Sequence, residues 1–308
     1  MFEIFTRIGV SLAAALFICF AAMPIVRAFA YKIGAIDVPG DETRMHNYPI
    51  PRLGGLAMFL GFLISVVLFA DVNHQVQGIL IGSVIIVISG AIDDVVALKW
   101  YIKLLFQLAA ALVAVGHGLV VYTVSNPNVF SAAEFLSFGI LSVPVTVLWI
   151  VGITNAVNLI DGLDGLAAGV SGISSVTMLV IALLVSEMNV AVIMAALAGS
   201  CLGFLPYNFK PEKQSKMLMG DTGALMLGFV LSTVSIMGLF KFFAIISFAV
   251  PFLVIGLPLF DTALAFTRRI LKGQNPMHRD RGHFHHRLVD MGLSQKQAVA
   301  ILYAISAV

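Results

Sequence analysis

Residues 139–166 read GILSVPVTVLWIVGITNAVNLIDGLDGL. The first part, 139–156, is an apolar run without a charge, close to the roughly 20 residues a helix needs to cross a bilayer. Its end changes character. Asn155, Asn158, Asp161 and Asp164 recur at three-residue intervals, which on a helical turn places them in one drifting stripe. Apolar residues fill the gaps, and Gly162 and Gly165 allow close backbone approach. A plain turn between two spans has no use for two carboxamides and two carboxylates on one face. Amides and carboxylates do suit a hard cation or the edge of a nucleobase. A lipid-crossing helix that ends in such a stripe predicts a membrane protein with its chemistry at a helix end.

Composition points the same way. Of 308 residues, 60% are hydrophobic and 11% charged, and the mean hydropathy is +1.01. A soluble domain is about half apolar and about a quarter charged, so no soluble fold of this length hides that much apolar surface. Comparable apolar runs occur near 5–27, 53–70, 77–93, 102–123, 166–186, 189–207, 222–240 and 243–267. A tenth begins near Gln295 and the sequence ends inside it at Val308, too short to cross, which predicts a truncation or a missing C-terminal segment. The predicted fold is therefore all-α: a polytopic transmembrane helical bundle of about ten spans, the last incomplete, forming a single integral-membrane domain over 1–308. The first run lacks a basic leader and a small-residue cleavage site, so it reads as a retained helix. Cys19 and Cys201 lie inside apolar runs and read as small hydrophobes, not as a disulfide or metal site.

Of the 18 Lys and Arg residues, all but Arg7 and Lys241 fall on the loops after the first, third, fifth, seventh and ninth spans. The positive-inside rule makes those loops cytoplasmic and the N-terminus external. Every cluster of titratable residues lies on the same loops, so stretches far apart in sequence are expected to meet at one membrane face.

The first stretch, residues 37–55, carries Arg44 and His46 among Pro and Gly; it reads either as a turn-rich loop facing lipid headgroups or as part of a site. Asp93-Asp94 closes the third span, with Lys103 beyond. Adjacent carboxylates at the end of an apolar helix persist most easily beside a cation; the alternative is a merely polar helix end. Lys210 to Lys213 precede Met219-Gly-Asp221, where a carboxylate at a helix start either caps the helix or belongs to an anion-and-metal site. Arg281, His283, His285, His286 and Arg287 form the last cluster. It invites zinc, but there is no H-E-x-x-H, no cysteine partner, and the arginines repel a divalent ion. Guanidinium forks and imidazolium donors match phosphate oxygens better. Carboxylates and basic groups at one face suggest Mg²⁺ holding a polyphosphate, the usual physical solution for phosphoryl transfer.

The run Asn155–Gly165, NAVNLIDGLDG, resembles the signature of the polyprenyl-phosphate N-acetylhexosamine-1-phosphate transferases, glycosyltransferase family 4. So do Asp93-Asp94 with Lys103, Met219-Gly-Asp221, and His283-Phe-His285-His286-Arg-Leu. The resemblance covers about residues 35–290, in matching order and spacing, and is nearest to the bacterial undecaprenyl-phosphate GlcNAc-1-phosphate branch. It implies a membrane bundle of helices with cytoplasmic active-site loops. It implies Mg²⁺, with Mn²⁺ as a substitute, held by Asp221 and Asn158. Asp93 and Asp94 would sit at the polyprenyl phosphate, accepting its proton or helping to hold metal. Lys103 would contact phosphate, and His283, His285 and His286 would complete the catalytic set. Substrate binding would fall to Arg44, His46, Asn155, Asp161, Asp164, Arg281 and Arg287, with Asp164 at the uracil. The family often has an aromatic residue where Leu218 stands, and a second cation where Thr43 precedes Arg44.

His-x-His-His followed by Arg-Leu is similar to the GlcNAc-1-phosphate branch, whereas the peptidoglycan branch usually has three consecutive histidines. The implied reaction is transfer of GlcNAc-1-phosphate from UDP-GlcNAc to undecaprenyl phosphate, with UMP released, as a first membrane step of cell-envelope polysaccharide synthesis. UDP-MurNAc-pentapeptide or another UDP-HexNAc is the alternative donor. Expected partners are those two substrates and the lipid bilayer of a bacterial inner membrane, with a homodimer allowed and no nucleic acid. A secondary transporter would place polar residues near mid-span in repeated halves; here they cluster at one face and no repeat occurs. A membrane metalloprotease lacks its zinc motif.

Overall fold

A segment in lipid must satisfy its backbone hydrogen bonds internally, and the long apolar runs do so as helices. The computed structural model of the chain describes residues 2–38, 48–125, 135–209, 216–238, 288 and 291–306. Helix α1 covers Phe2–Ile33, α2 Gly54–Phe69, α3 His74–Val96, α4 Trp100–Gly116 and α5 Ser142–Ile160. Then come α6, Leu166–Leu184, α7, Met188–Asn208, α8, Gly220–Gly238, and α9, Gln295–Ser306. Six of these are long and apolar enough to cross a membrane: α1, α3, α5 with the short 3-10 turn before it, α6, α7 and α8. Helices α2 and α4 are also apolar but shorter, at 16 and 17 residues. The start of α3 is fixed by Asn73, whose side chain accepts the Val76 amide at 3.0 Å, a standard N-cap.

Helix α8 is the hub. It packs against α2, α3, α5 and α6, while α7 packs against α1, α2 and α6, α4 joins α3 to α5, and α9 lies on α6. Every residue of α8 from Thr222 to Met237 is buried. Small residues let its backbone approach its neighbours closely, which is how helices gain contact where lipid offers no hydrophobic drive. The crossing with α2 is the tightest: a Cβ on Gly55 would overlap the backbone of Gly223. Outward faces carry large apolar side chains, such as Ile25 and Leu148 at 72% and Leu184 at 79% exposure. A soluble monomer rarely shows so continuous an apolar surface; a bilayer covers it.

The expected spans up to residue 240 each coincide with a helix, with two differences. The first helix runs on to Ile33, beyond the expected 27. The fourth stops at Gly116, short of the expected 123, and Gly118 takes φ 84°. The following Leu119–Tyr122 is as apolar as a helix, so hydropathy does not mark the break. The chain instead enters a ribbon, Thr123–Ser125 paired antiparallel with Phe135–Ser137. A second ribbon pairs Ile36–Asp37 with Ile50–Pro51. The all-α expectation thus holds for the bundle, with these two small additions in its loops. The ninth expected span, 243–267, lies outside the described residues.

The two ends of the bundle differ. At one, Arg7 meets Asp71 at 3.0 Å and the Asn189 amide closes on the Asp71 backbone in both directions, at 2.8 and 2.9 Å. At the other, α1, α3, α5 and α7 finish and α2, α4, α6 and α8 begin. There the polar residues gather.

Candidate active site

Helix α3 delivers Asp93 and Asp94 in its last turn, both buried. The Asp93 Oδ1 accepts the Leu98 amide at 2.6 Å, which closes the helix and fixes the carboxylate. Its Oδ2 lies 2.6 Å from Lys103 Nζ, and the same ammonium is 2.6 Å from Asp221 Oδ2. Lys103 stands in the first turn of α4 and Asp221 in the first turn of α8. Asn158, from the last turn of α5, lies beside the Asp221 side chain and favours its charged form. One cation therefore links the carboxylates of α3 and α8, and an amide of α5 completes the cluster.

Asp94 turns the other way. Its Oδ1 accepts the Asp221 amide at 3.0 Å and lies 3.4 Å from Arg52 Nε. Its Oδ2 accepts the Thr222 amide at 3.1 Å and the Thr222 hydroxyl at 2.6 Å.

Asp161 follows α5 directly. Burial, and then the charges of Asp221, Asp94 and Asp164, push its carboxyl up to about 8, against the pull of Arg52. Burial away from water is the larger cause, and the neighbouring carboxylates add to it. Asp164 pairs with Lys216. The turn between them is held from beneath: Asn208 accepts the Gly165 amide and donates to the Met217 carbonyl at 2.9 Å. The Tyr303 hydroxyl donates to the Gly165 carbonyl. Asn155 exchanges hydrogen bonds with Gln107, at 3.2 and 2.6 Å.

The structure thus brings Asp93, Asp94, Lys103, Asn158, Asp161 and Asp221 to one end of the bundle, with Asp164 adjacent and Asn155 one turn deeper. Arg44, His46, Arg281, His283, His285, His286 and Arg287 lie outside the described residues. Sequence reasoning missed the uncharged Gln107, Asn208, Thr222 and Tyr303, and did not assign Arg52 or Lys216 to the site. A lone amide in an apolar run was the available signal for the first two.

Among the described residues no three carboxylates, imidazoles or thiols converge on one point; Lys103 fills the place between Asp93 and Asp221. The donor set nonetheless fits a hard divalent ion. Apart from Lys103 it offers carboxylate and amide oxygens, and Asn158 lies beside Asp221.

Comparison with known proteins places the chain in a family. Residues 76–239, which hold α3 to α8 and the cluster just described, match the family described as glycosyl transferase family 4. A Bacillus subtilis protein named "Probable undecaprenyl-phosphate N-acetylglucosaminyl 1-phosphate transferase" is 40% identical over 97% of this chain and 82% of its own length. An undecaprenyl-phosphate alpha-N-acetylglucosaminyl 1-phosphate transferase of Thermotoga maritima is 32% identical over 87% and 78%. A phospho-N-acetylmuramoyl-pentapeptide-transferase of Staphylococcus aureus is 29% identical over 94% and 93%. The family match covers more than half of the chain and the Bacillus subtilis relative nearly all of it, so this multi-pass membrane protein belongs to glycosyl transferase family 4.

Proposed function

We propose that this chain transfers GlcNAc-1-phosphate from UDP-GlcNAc to undecaprenyl phosphate at the cytoplasmic face of a bacterial inner membrane. The observation that carries the reading is Lys103 between Asp93 and Asp221, at a helix-end cluster that also holds Asn158 and Asp161. Relatives named for GlcNAc transfer match at 40% and 32% identity, against 29% for the pentapeptide transferase. The basic residues on the same loops orient the site to the cytoplasm, where nucleotide sugars are made, and ten spans complete the bundle.

A phosphate oxygen of undecaprenyl phosphate attacks the β-phosphorus of UDP-GlcNAc. The bond from that phosphorus to the oxygen bridging the two phosphates breaks, and the electron pair leaves with UMP. Undecaprenyl-diphospho-GlcNAc stays in the membrane. The attacking phosphomonoester has a second pKa near ~6 and is mostly dianionic at neutral pH, so Asp93 takes only a residual proton and otherwise acts by holding Lys103. Lys103 neutralises phosphate oxygens as charge develops. Asp164, freed from Lys216, faces the uracil. Asp221 and Asn158 would hold Mg²⁺, which when bound offsets the diphosphate charge and polarises the phosphoryl oxygens.

The test is to incubate membranes carrying the chain with undecaprenyl phosphate and a panel of UDP-sugars, with and without Mg²⁺, and to identify the lipid product by mass. A GlcNAc-diphospho-lipid formed only with Mg²⁺ is expected. A product from UDP-MurNAc-pentapeptide instead would assign the other branch, and no lipid product from any sugar would overturn the reading. Asp221→Asn is expected to abolish Mg²⁺-dependent UMP release; undiminished turnover would remove Asp221 from the metal site.

A further inference from the structure

The two adjacent aspartates closing α3 are not equivalent. Asp93 keeps one oxygen on Lys103, at the centre of the cluster. The Asp94 side chain has no exposed surface, and both its oxygens are taken by the start of α8 and by Arg52. A carboxylate offers about four lone-pair sites. Asp94 spends three of them on two backbone amides and one hydroxyl, and the Arg52 guanidinium stands 3.4 Å from the oxygen that keeps the fourth.

Helix α8 needs this. The first amides of a helix have no partner within it, and a negative charge there also meets the positive end of the helix dipole. A helix normally draws its cap from the residue just before it; here that residue is Met219, whose side chain has no oxygen to offer. The cap comes from another helix, 127 and 128 residues away in sequence. Gly220 leaves the room: it takes φ 68°, and a side chain on it would run into the Asp94 carboxylate and the Arg52 carbonyl. Thr222 adds the shortest of the contacts, 2.6 Å from its hydroxyl.

We propose that Asp94 is a positioning residue: with Thr222 it clamps the first turn of α8, so that Asp221 faces Lys103 and Asp93. Of the aspartate pair, only Asp93 then reaches the reacting groups. The inference takes the role of Asp221 from the function proposed above, but the clamp itself is measurable without any substrate.

Two measurements test it. The first is hydrogen exchange of fragments covering 219–224 in the detergent-solubilised chain. Asp94→Ala is expected to speed exchange there about tenfold or more, since it strips two amides of their acceptor, while Asp93→Ala leaves it unchanged. Equal exchange in the two variants would overturn the clamp, whether or not the chain turns over any UDP-sugar. The second is a double-mutant cycle on UMP release. Thr222→Val is expected to lower kcat by about tenfold with both KM values within about twofold, because a displaced group costs rate rather than binding. Thr222→Ser, which keeps the hydroxyl, should recover most of that rate. Asp94→Asn with Thr222→Val should be no slower than Asp94→Asn alone, as expected of residues acting through one contact. Multiplied losses in the double variant, or full activity in Thr222→Val, would return Asp94 to a direct role on substrate. A wild-type chain inactive on every UDP-sugar would sink the proposed function and leave the exchange result to decide the clamp.

Discussion

Lys103 Nζ lies 2.6 Å from Asp93 Oδ2 and 2.6 Å from Asp221 Oδ2, joining two carboxylates that the chain carries on different helices. Carboxylates that close repel strongly in a medium of low dielectric, and the ammonium holds them in register. The same ammonium occupies Asp221, so a divalent ion held as proposed by Asp221 and Asn158 would have to compete with Lys103 for that carboxylate.

Replacing Lys103 by Met is therefore expected to act in opposite directions on two observables. UMP release should fall by roughly 10²–10³-fold, the usual cost of losing one charge-stabilising group. Binding of Mn²⁺, followed by electron paramagnetic resonance, should tighten, because the competing cation is gone. Weaker Mn²⁺ binding in Lys103→Met would show that the lysine supports the metal site and does not compete for it.

Asn208 bridges the turn that carries Asp164 and the segment that leads into α8 and Asp221, through the Gly165 amide and the Met217 carbonyl. It is buried, so Asn208→Leu leaves both backbone groups without a partner, at about 1–3 kcal/mol each. The melting midpoint should drop and KM for UDP-GlcNAc should rise more than KM for the lipid. An unchanged KM with a lowered midpoint would confine Asn208 to stability.

How much of this was legible in the sequence depends on the range of the interaction. The three-residue stripe from Asn155 to Asp164 identified a face, and Asn158 and Asp161 do sit with Asp221 and Asp94. The stripe also drifts, as a period of three must on a helix of 3.6. Asn155 therefore turns inward to Gln107, while Asp164 lies past the end of α5 on the turn that carries it to Lys216. Those partners are 48 and 52 residues distant, and spacing along one segment does not reveal them. Thr222 and Asn208 carry no charge inside apolar runs, so only the fold exposes their work. The early end of α4 was hidden for a related reason: hydropathy reports what a residue lies in, not whether its backbone is helical.

Gly220 and Gly152 should answer to alanine in opposite ways. Gly220 has φ 68° and no room for a Cβ beside Asp94 and Arg52. Gly220→Ala is expected to cost upwards of ~1–3 kcal/mol for the backbone alone and to abolish UMP release. Gly152 lies on an exposed face of α5, where a methyl group would meet nothing within 4 Å. Gly152→Ala should therefore stabilise by roughly 0.5–1 kcal/mol and leave activity intact. Melting curves of the two variants, read with their UMP release, check the contrast.

Asp161 gives the chain a pH dependence whose sign follows from its raised carboxyl, at about 8. In the unfolded chain the same group ionises near ~4. Between those values the folded state holds a proton that the unfolded state has lost. The slope of unfolding free energy with pH follows the protons bound in the unfolded state minus those bound in the folded, so it is negative there. Without divalent ions, the melting midpoint should fall as pH rises from about 5 towards 8 and level off above the folded value. A bound cation favours the ionised form and lowers the folded value, so Mg²⁺ should flatten the decline. Asp161→Asn has no proton to retain and should remove this contribution with or without the ion. If the metal-free midpoint of the wild-type chain instead rises over that range, Asp161 is ionised in the folded protein, and nearby cations outweigh its burial.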